Sequence, residues 1–170
     1  KYILRRNTMQ PIRYMTSLLT FYLKGEIRQE QNFVNLKKPN TILSLIPLGA
    51  KKESVPVNQL SSVESNFKLH FGSLLLGAII AILGIVLFSE SFLGGLILLV
   101  IGLNKAITSF ETILTIKTTA GDVKNISFLI FEKSKAELAE TQIRGIISSR
   151  LDDTNNRVQT DRIVDAINNK

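Results

Sequence analysis

Few side chains in this sequence could do covalent or metal chemistry, and their spacing argues against it. The chain holds one His and no Cys, so thiolate metal sites, disulfides and cysteine nucleophiles are excluded. A catalytic triad would rest on His70 alone, and His70 sits at the margin of an apolar segment, where a lone imidazole serves packing. Asp152-Asp153 pairs two carboxylates, but no further ligand stands at a spacing useful to a hard cation, and the pair reads as part of a solvated linker. Gly94-Gly95 lacks the surrounding pattern of a phosphate loop. Glu90 lies too close to the expected membrane boundary to mark an ion path. The sequence carries no catalytic constellation, no metal site and no cofactor motif. The expectation is a protein that is not an enzyme.

The lysines are the remaining chemical feature. Lys37-Lys38 and Lys51-Lys52 fall in predicted turns, and Lys68 adjoins the apolar segment. A Lys held near an anionic leaflet contributes about 1 kcal/mol, so these five are candidate lipid-headgroup contacts; ordinary solvated turn lysines are the competing reading. Charge is distributed to match the first. The net charge is +7, and residues 1–70 alone hold 11 Lys+Arg against 4 Asp+Glu, whereas residues 105–170 hold 10 against 9. A basic half of this kind points to an anionic neighbour, phospholipid or nucleic acid. The aromatic residues cluster at segment boundaries or alternate as core, which leaves no stacking platform for a nucleic acid.

The element that would set those lysines against a bilayer is the centre of the chain. Residues 71–89 read FGSLLLGAIIAILGIVLFS, without a charge, and after Glu90 the run FLGGLILLVIGL occupies 92–103. Nineteen helical residues would span roughly 28 Å, close to the ~30 Å hydrocarbon core. The second run would need the stretch to about Phe110, with Lys105 reaching for the headgroups. The expectation is a two-helix transmembrane hairpin over residues 70–110. Gly77 and Gly84 lie seven apart, as do Gly95 and Gly102, and Ala81 adds a small residue beside Gly77. These five are the candidate helix-packing face, with general glycine enrichment of membrane helices as the alternative. The turn carries no Lys or Arg, whereas Lys68, Lys105 and Lys117 flank the outer ends. The positive-inside rule then expects a multi-pass cell-membrane protein with both termini cytoplasmic.

The flanks read as one split β-domain, residues 30–69 plus 111–151. Before the hairpin come short strands at 31–36, 41–48, 55–57 and 63–69, broken by Lys37-Lys38-Pro39-Asn40 and Gly49-Ala50-Lys51-Lys52. After it, residues 111–118 and 122–131 flank Thr119-Ala120-Gly121 as a β-hairpin, with Ile126, Phe128 and Ile130 alternating. Ser134-Lys135-Ala136-Glu137 fits a capping box. Ala136, Ala139, Ile143, Ile146, Ile147 and Leu151 then make an apolar stripe that must bury against the sheet. Residues 152–170 read as a linker and a short final helix. Residues 1–29 form a basic N-terminal segment. Pro11 suits the first turn of a helix running to Leu23, which would lie at the membrane interface or pack on the domain.

The stretch 53–67 (ESVPVNQLSSVESNF), the central hairpin, and ETILTIKTTAGDVKNISFLIF leading into the Ser134 helix together resemble bacterial pleckstrin-homology-like membrane proteins with an inserted two-helix hairpin. The resemblance covers roughly residues 30–150 and is one of pattern and order. It implies an α+β membrane protein: a small antiparallel β half-barrel, closed by a C-terminal amphipathic helix and interrupted by the transmembrane hairpin. It supplies no catalytic residues. The function expected is a non-enzymatic, membrane-anchored interaction module whose β-domain binds a protein partner or anionic lipid headgroups. The alternative is an accessory subunit of a transport, secretion or toxin-immunity complex that uses the hairpin as its interface. Membrane lipids and a protein partner or second copy are the expected partners.

Overall fold

The computed structural model describes residues 9–42 and 46–168. It is an α+β fold of two antiparallel sheets and three α-helices. Strands β1 (Ile12–Met15), β2 (Lys24–Glu30), β3 (Phe33–Ile42) and β4 (Ile46–Pro56) form a four-stranded meander. A 3-10 turn at Val57–Gln59 leads to β5 (Leu60–Leu69), which pairs with β6 (Phe110–Thr118) and, through it, β7 (Val123–Leu129). Helices α1 (Phe71–Leu87) and α2 (Phe92–Ile107) stand between β5 and β6, and α3 (Lys133–Asn168) closes the chain.

The inward-facing rows follow the two-residue period of a strand. Ile12 and Tyr14 on β1, Ile27 on β2, Val34 and Leu36 on β3, and Val55 on β4 are buried. They meet Leu60 and Val63 on β5, Leu114 and Ile116 on β6, and Ile126 and Phe128 on β7 in one cluster. Tyr14 lies on Phe128 with ring centroids 4.5 Å apart, and it crosses so close over β2 that a Cβ on Gly25 would stand 2.2 Å from its ring. Only glycine fits there. Helix α3 covers the cluster with Ala136, Ala139, Ile143 and Ile146, all buried, and Ile147 packs at its margin, whereas Leu151 is exposed. Segments before and after the helical hairpin therefore share one core. A buried Leu, Ile or Phe contributes about 1.5–3 kcal/mol, which is what holds two short sheets together.

The ends of the molecule are set by the strand directions. Asn32 O accepts from Val57 N, and Gln59 O accepts from Thr119 N, so the β2–β3, β4–β5 and β6–β7 connections meet at one end. There Arg150 of α3 donates to the carbonyls of Val57, Asn58 and Leu60. The β1–β2 loop, the hairpin base and the end of β7 meet at the other. Glu132 accepts from Met15 N and pairs with Lys135, and Asn104 Oδ1 accepts from Ser17 Oγ and Leu19 N at 3.2 and 3.4 Å.

Several expectations are corrected. The two-helix transmembrane hairpin is not supported, because no helix among the described residues is long and apolar enough to cross a membrane. The helix in the apolar run of 71–89 stops at Leu87. α1 has 17 residues, about 25 Å at 1.5 Å per residue against a ~30 Å core, and Phe88–Glu90 form a turn. α2 has 16 residues and carries Asn104 and Lys105 in its last turn, so its unbroken apolar part, Phe92–Leu103, is only about 18 Å long. The membrane fold class, the multi-pass placement in the cell membrane and the orientation drawn from flanking lysines fall with the spans. The helix expected from Pro11 to Leu23 is instead β1 and a loop; residues 1–8 lie outside the described residues. The turns at Lys37–Asn40 and Gly49–Lys52 are instead parts of β3 and β4, and residues 43–45 of the expected 41–48 strand lie outside the described residues. Residues 152–168 continue α3 without a linker. Ser134 is within that helix, which begins at Lys133.

Candidate functional site

The helical hairpin is built on glycine. Ser91 caps α2, its Oγ accepting from Gly94 N at 3.3 Å, and Phe88 and Phe92 meet edge to face across the turn at 4.8 Å. Gly77, Gly84, Gly95 and Gly102 are buried between the helices. A Cβ on Gly84 would stand 2.6 Å from Leu99 N, one on Gly77 2.6 Å from Ala106 N, and one on Gly102 2.4 Å from Ala81 N. The five residues singled out in the sequence thus lie on one contact face. The opposite side of α1 is apolar across its width: Leu75, Leu76, Ile79, Ile82, Leu83 and Val86 are all exposed. On α2, Leu93, Ile97 and Val100 do the same.

Two further apolar features share this end. The β1–β2 loop exposes Leu18, Phe21 and Tyr22 and is tied to the hairpin through Asn104, itself only 5% exposed. On β3, the last residue facing β2 in register is Lys37, opposite Glu26; beyond it β3 and β4 run on as a two-stranded ribbon with Ile42, Ile46 and Leu48 exposed. At the hairpin base His70 Nε2 lies 3.6 Å from Glu111 Oε2. The other end carries the polar connections Gln31-Asn32, Asn58-Gln59 and Thr119–Asp122.

The structure separates the candidate lysines. Lys37 faces Lys52, and Lys38 faces Lys51, on adjacent rungs of the ribbon. Successive residues point to opposite faces, so Lys37 and Lys52 share the outer face and Lys38 and Lys51 the inner one. Lys68 is on β5, opposite Glu111, away from both pairs. Like charges directly opposite destabilise a ribbon, and on the inner face Glu53 offsets them. Its Oε1 is 2.6 Å from Lys51 Nζ, and its Oε2 lies 3.9 Å from Lys38 Nζ and 3.7 Å from Lys124 Nζ. The hydrogen bond from Lys51 holds the Glu53 carboxyl below the usual range, against the opposing effect of burial. Burial pushes the Lys38 ammonium down, and the Lys51 and Lys124 charges add to that.

Sequence reading missed Glu53, Lys124, Asn104 and the Leu18–Tyr22 loop as members of these sites. Asn104 had a signal, an amide at the close of an apolar run. Lys124 had one too, at the next inward position before Ile126. Among the described residues no three His, Asp or Glu side chains gather as a metal site. Comparison with family models, curated proteins and solved structures found no match.

Proposed function

We propose that the protein is a non-enzymatic interaction module that engages a lipid surface through the end of the molecule bearing the helical hairpin. The observation that carries the reading is the concentration of exposed apolar side chains at that end. The outer sides of α1 and α2, the Leu18–Tyr22 loop and the distal β3–β4 ribbon all lie at that end, whereas at the other Phe33 and Val123 are exposed singly beside polar connections. A contiguous apolar patch beyond a few hundred Å² marks an interaction site. A protein groove covers one stripe of an amphipathic helix, whereas here the outer side is apolar across its width, which mobile acyl chains cover and a single groove does not. Lys24, Lys68 and Lys105 rim this end and add attraction to anionic headgroups, about 1 kcal/mol each near the surface. Nothing in this reading requires either helix to cross a bilayer.

The two antiparallel sheets closed by α3 are compatible with the β-domain of the pleckstrin-homology-like resemblance, without its transmembrane hairpin. Fold analogy alone does not assign a ligand. The test is flotation of the full chain with phosphatidylcholine vesicles, with and without phosphatidylglycerol, beside the outer-face variant Leu76→Gln, Ile79→Gln, Leu83→Gln, Val86→Gln. These four side chains lie away from the α1–α2 contact, so the hairpin keeps its packing. The parent floats, more so with phosphatidylglycerol, and the variant stays in the aqueous fraction. Equal flotation of both, or a parent that ignores vesicles, overturns the reading and returns the weight to a protein partner.

A further inference from the structure

The inward rows of three strands change character at the same place. On β3 the row runs Val34, Leu36, Lys38; on β4 it runs Val55, Glu53, Lys51; on β7 it runs Phe128, Ile126, Lys124. The apolar members are buried in the common core, and the next inward position on each strand is charged. The mouth between the two sheets is therefore lined by three ammonium groups around one carboxylate. β4 and β7 belong to different sheets, so no ladder dictates this convergence.

Charge and geometry show what the mouth lacks. Three lysines against Glu53 leave an excess of two positive charges. Of the three ammonium groups only that of Lys51 is close enough to hydrogen-bond the carboxylate, 2.6 Å from Oε1. Lys38 and Lys124 flank Oε2 at 3.9 and 3.7 Å, beyond hydrogen-bond reach. Their side chains are only 22% and 30% exposed, so both stems pack against the mouth. Two ammonium groups held beyond hydrogen-bond reach of the carboxylate, with surplus positive charge beside them, suit a compact oxyanion.

We propose that the mouth between the sheets binds a phosphate group of high charge, inorganic phosphate or a phosphomonoester, through Lys38, Lys51 and Lys124, with Glu53 holding the lysines together when the site is empty. Glu53 repels the anion as well as orienting its partners. Its neutralisation should tighten binding, whereas a carboxylate serving only to quench excess charge predicts no phosphate binding at all. Lys37 and Lys52, on the outer face of the same ribbon, do not take part. The site does not depend on the hairpin's contact with lipid.

The test is calorimetric titration of the full chain, in a mild detergent at low ionic strength, with inorganic phosphate, using chloride as the control. Saturable binding is expected. Lys38→Gln and Lys124→Gln each weaken it about tenfold or more, the value of one charge-assisted hydrogen bond. Lys37→Gln with Lys52→Gln leaves it unchanged, and Glu53→Gln strengthens it. Melting curves on each variant separate loss of binding from loss of fold, and the Lys37/Lys52 variant controls for the ribbon's charge. Vesicles of phosphatidylcholine doped with phosphatidic acid distinguish the source. Competition with inorganic phosphate assigns a lipid headgroup, and its absence assigns a free phosphate compound. No saturable phosphate binding, or equal weakening by the inner and outer lysine variants, overturns the proposal.

Discussion

At the scale of single residues, the closest tolerances lie where the helices meet. Gly84 faces Leu99 N across a gap that a Cβ would reduce to 2.6 Å, and backbone cannot swing aside as a side chain can. Gly84→Leu should force the helices apart at about 1–3 kcal/mol, seen as a lower melting temperature, whereas exposed Gly72→Ala, with nothing near its Cβ, should not destabilise. Asn104→Leu removes the acceptor shared by Ser17 and Leu19. Its cost of about 1–3 kcal/mol should appear together with faster amide exchange in the Leu18–Tyr22 loop. Glu53 has a pH signature. Its carboxyl titrates lower in the folded protein than unfolded, so its contribution is present above the ordinary glutamate value of ~4.3. That contribution is lost as pH falls through the lower folded value. Acid unfolding of Glu53→Gln should be shallower than that of the parent over that window; parallel curves would show that Glu53 is not stabilising.

At the scale of elements, what was legible in the sequence was what burial made periodic. Ile126 and Phe128 alternate because one face of β7 is core, and the Ala136–Ile147 stripe repeats because α3 lies on the sheets. The glycine spacing of the hairpin was legible because its contact face is narrow. The β3–β4 ribbon was not. Beyond Leu36 no residue of β3 is fully buried, so the two-residue period vanishes and the composition Lys-Lys-Pro-Asn reads as a turn. β1 and β2 were missed because their apolar residues, Ile12, Tyr14 and Ile27, are too few to declare a period. The hairpin's length was misjudged because charge-free sequence was equated with helix, and the turn at Phe88–Glu90 consumes part of the run. If the β1–β2 loop belongs to the docking end, Leu18→Ser, Phe21→Ser and Tyr22→Ser together should reduce vesicle flotation without lowering the melting temperature, since all three are exposed. Unchanged flotation would confine the contact to the helices.

At the scale of the whole molecule, the two sheets and α3 make a polar-capped body, and the hairpin end is its apolar pole. The chain's positive balance adds a long-range attraction that salt screens over ~8 Å at physiological ionic strength, whereas the apolar contact resists salt. The absence of cysteine permits single probes to be placed at will. The most direct measurement attaches an environment-sensitive fluorophore at Leu83→Cys, Tyr22→Cys or Asn58→Cys in the full chain, bound to vesicles carrying an acyl-chain quencher. The probes at 83 and 22 should be quenched, and the probe at 58, at the opposite pole, should remain as in water. A probe at 83 that stays water-like, or equal quenching at all three positions, would contradict a lipid-facing hairpin end.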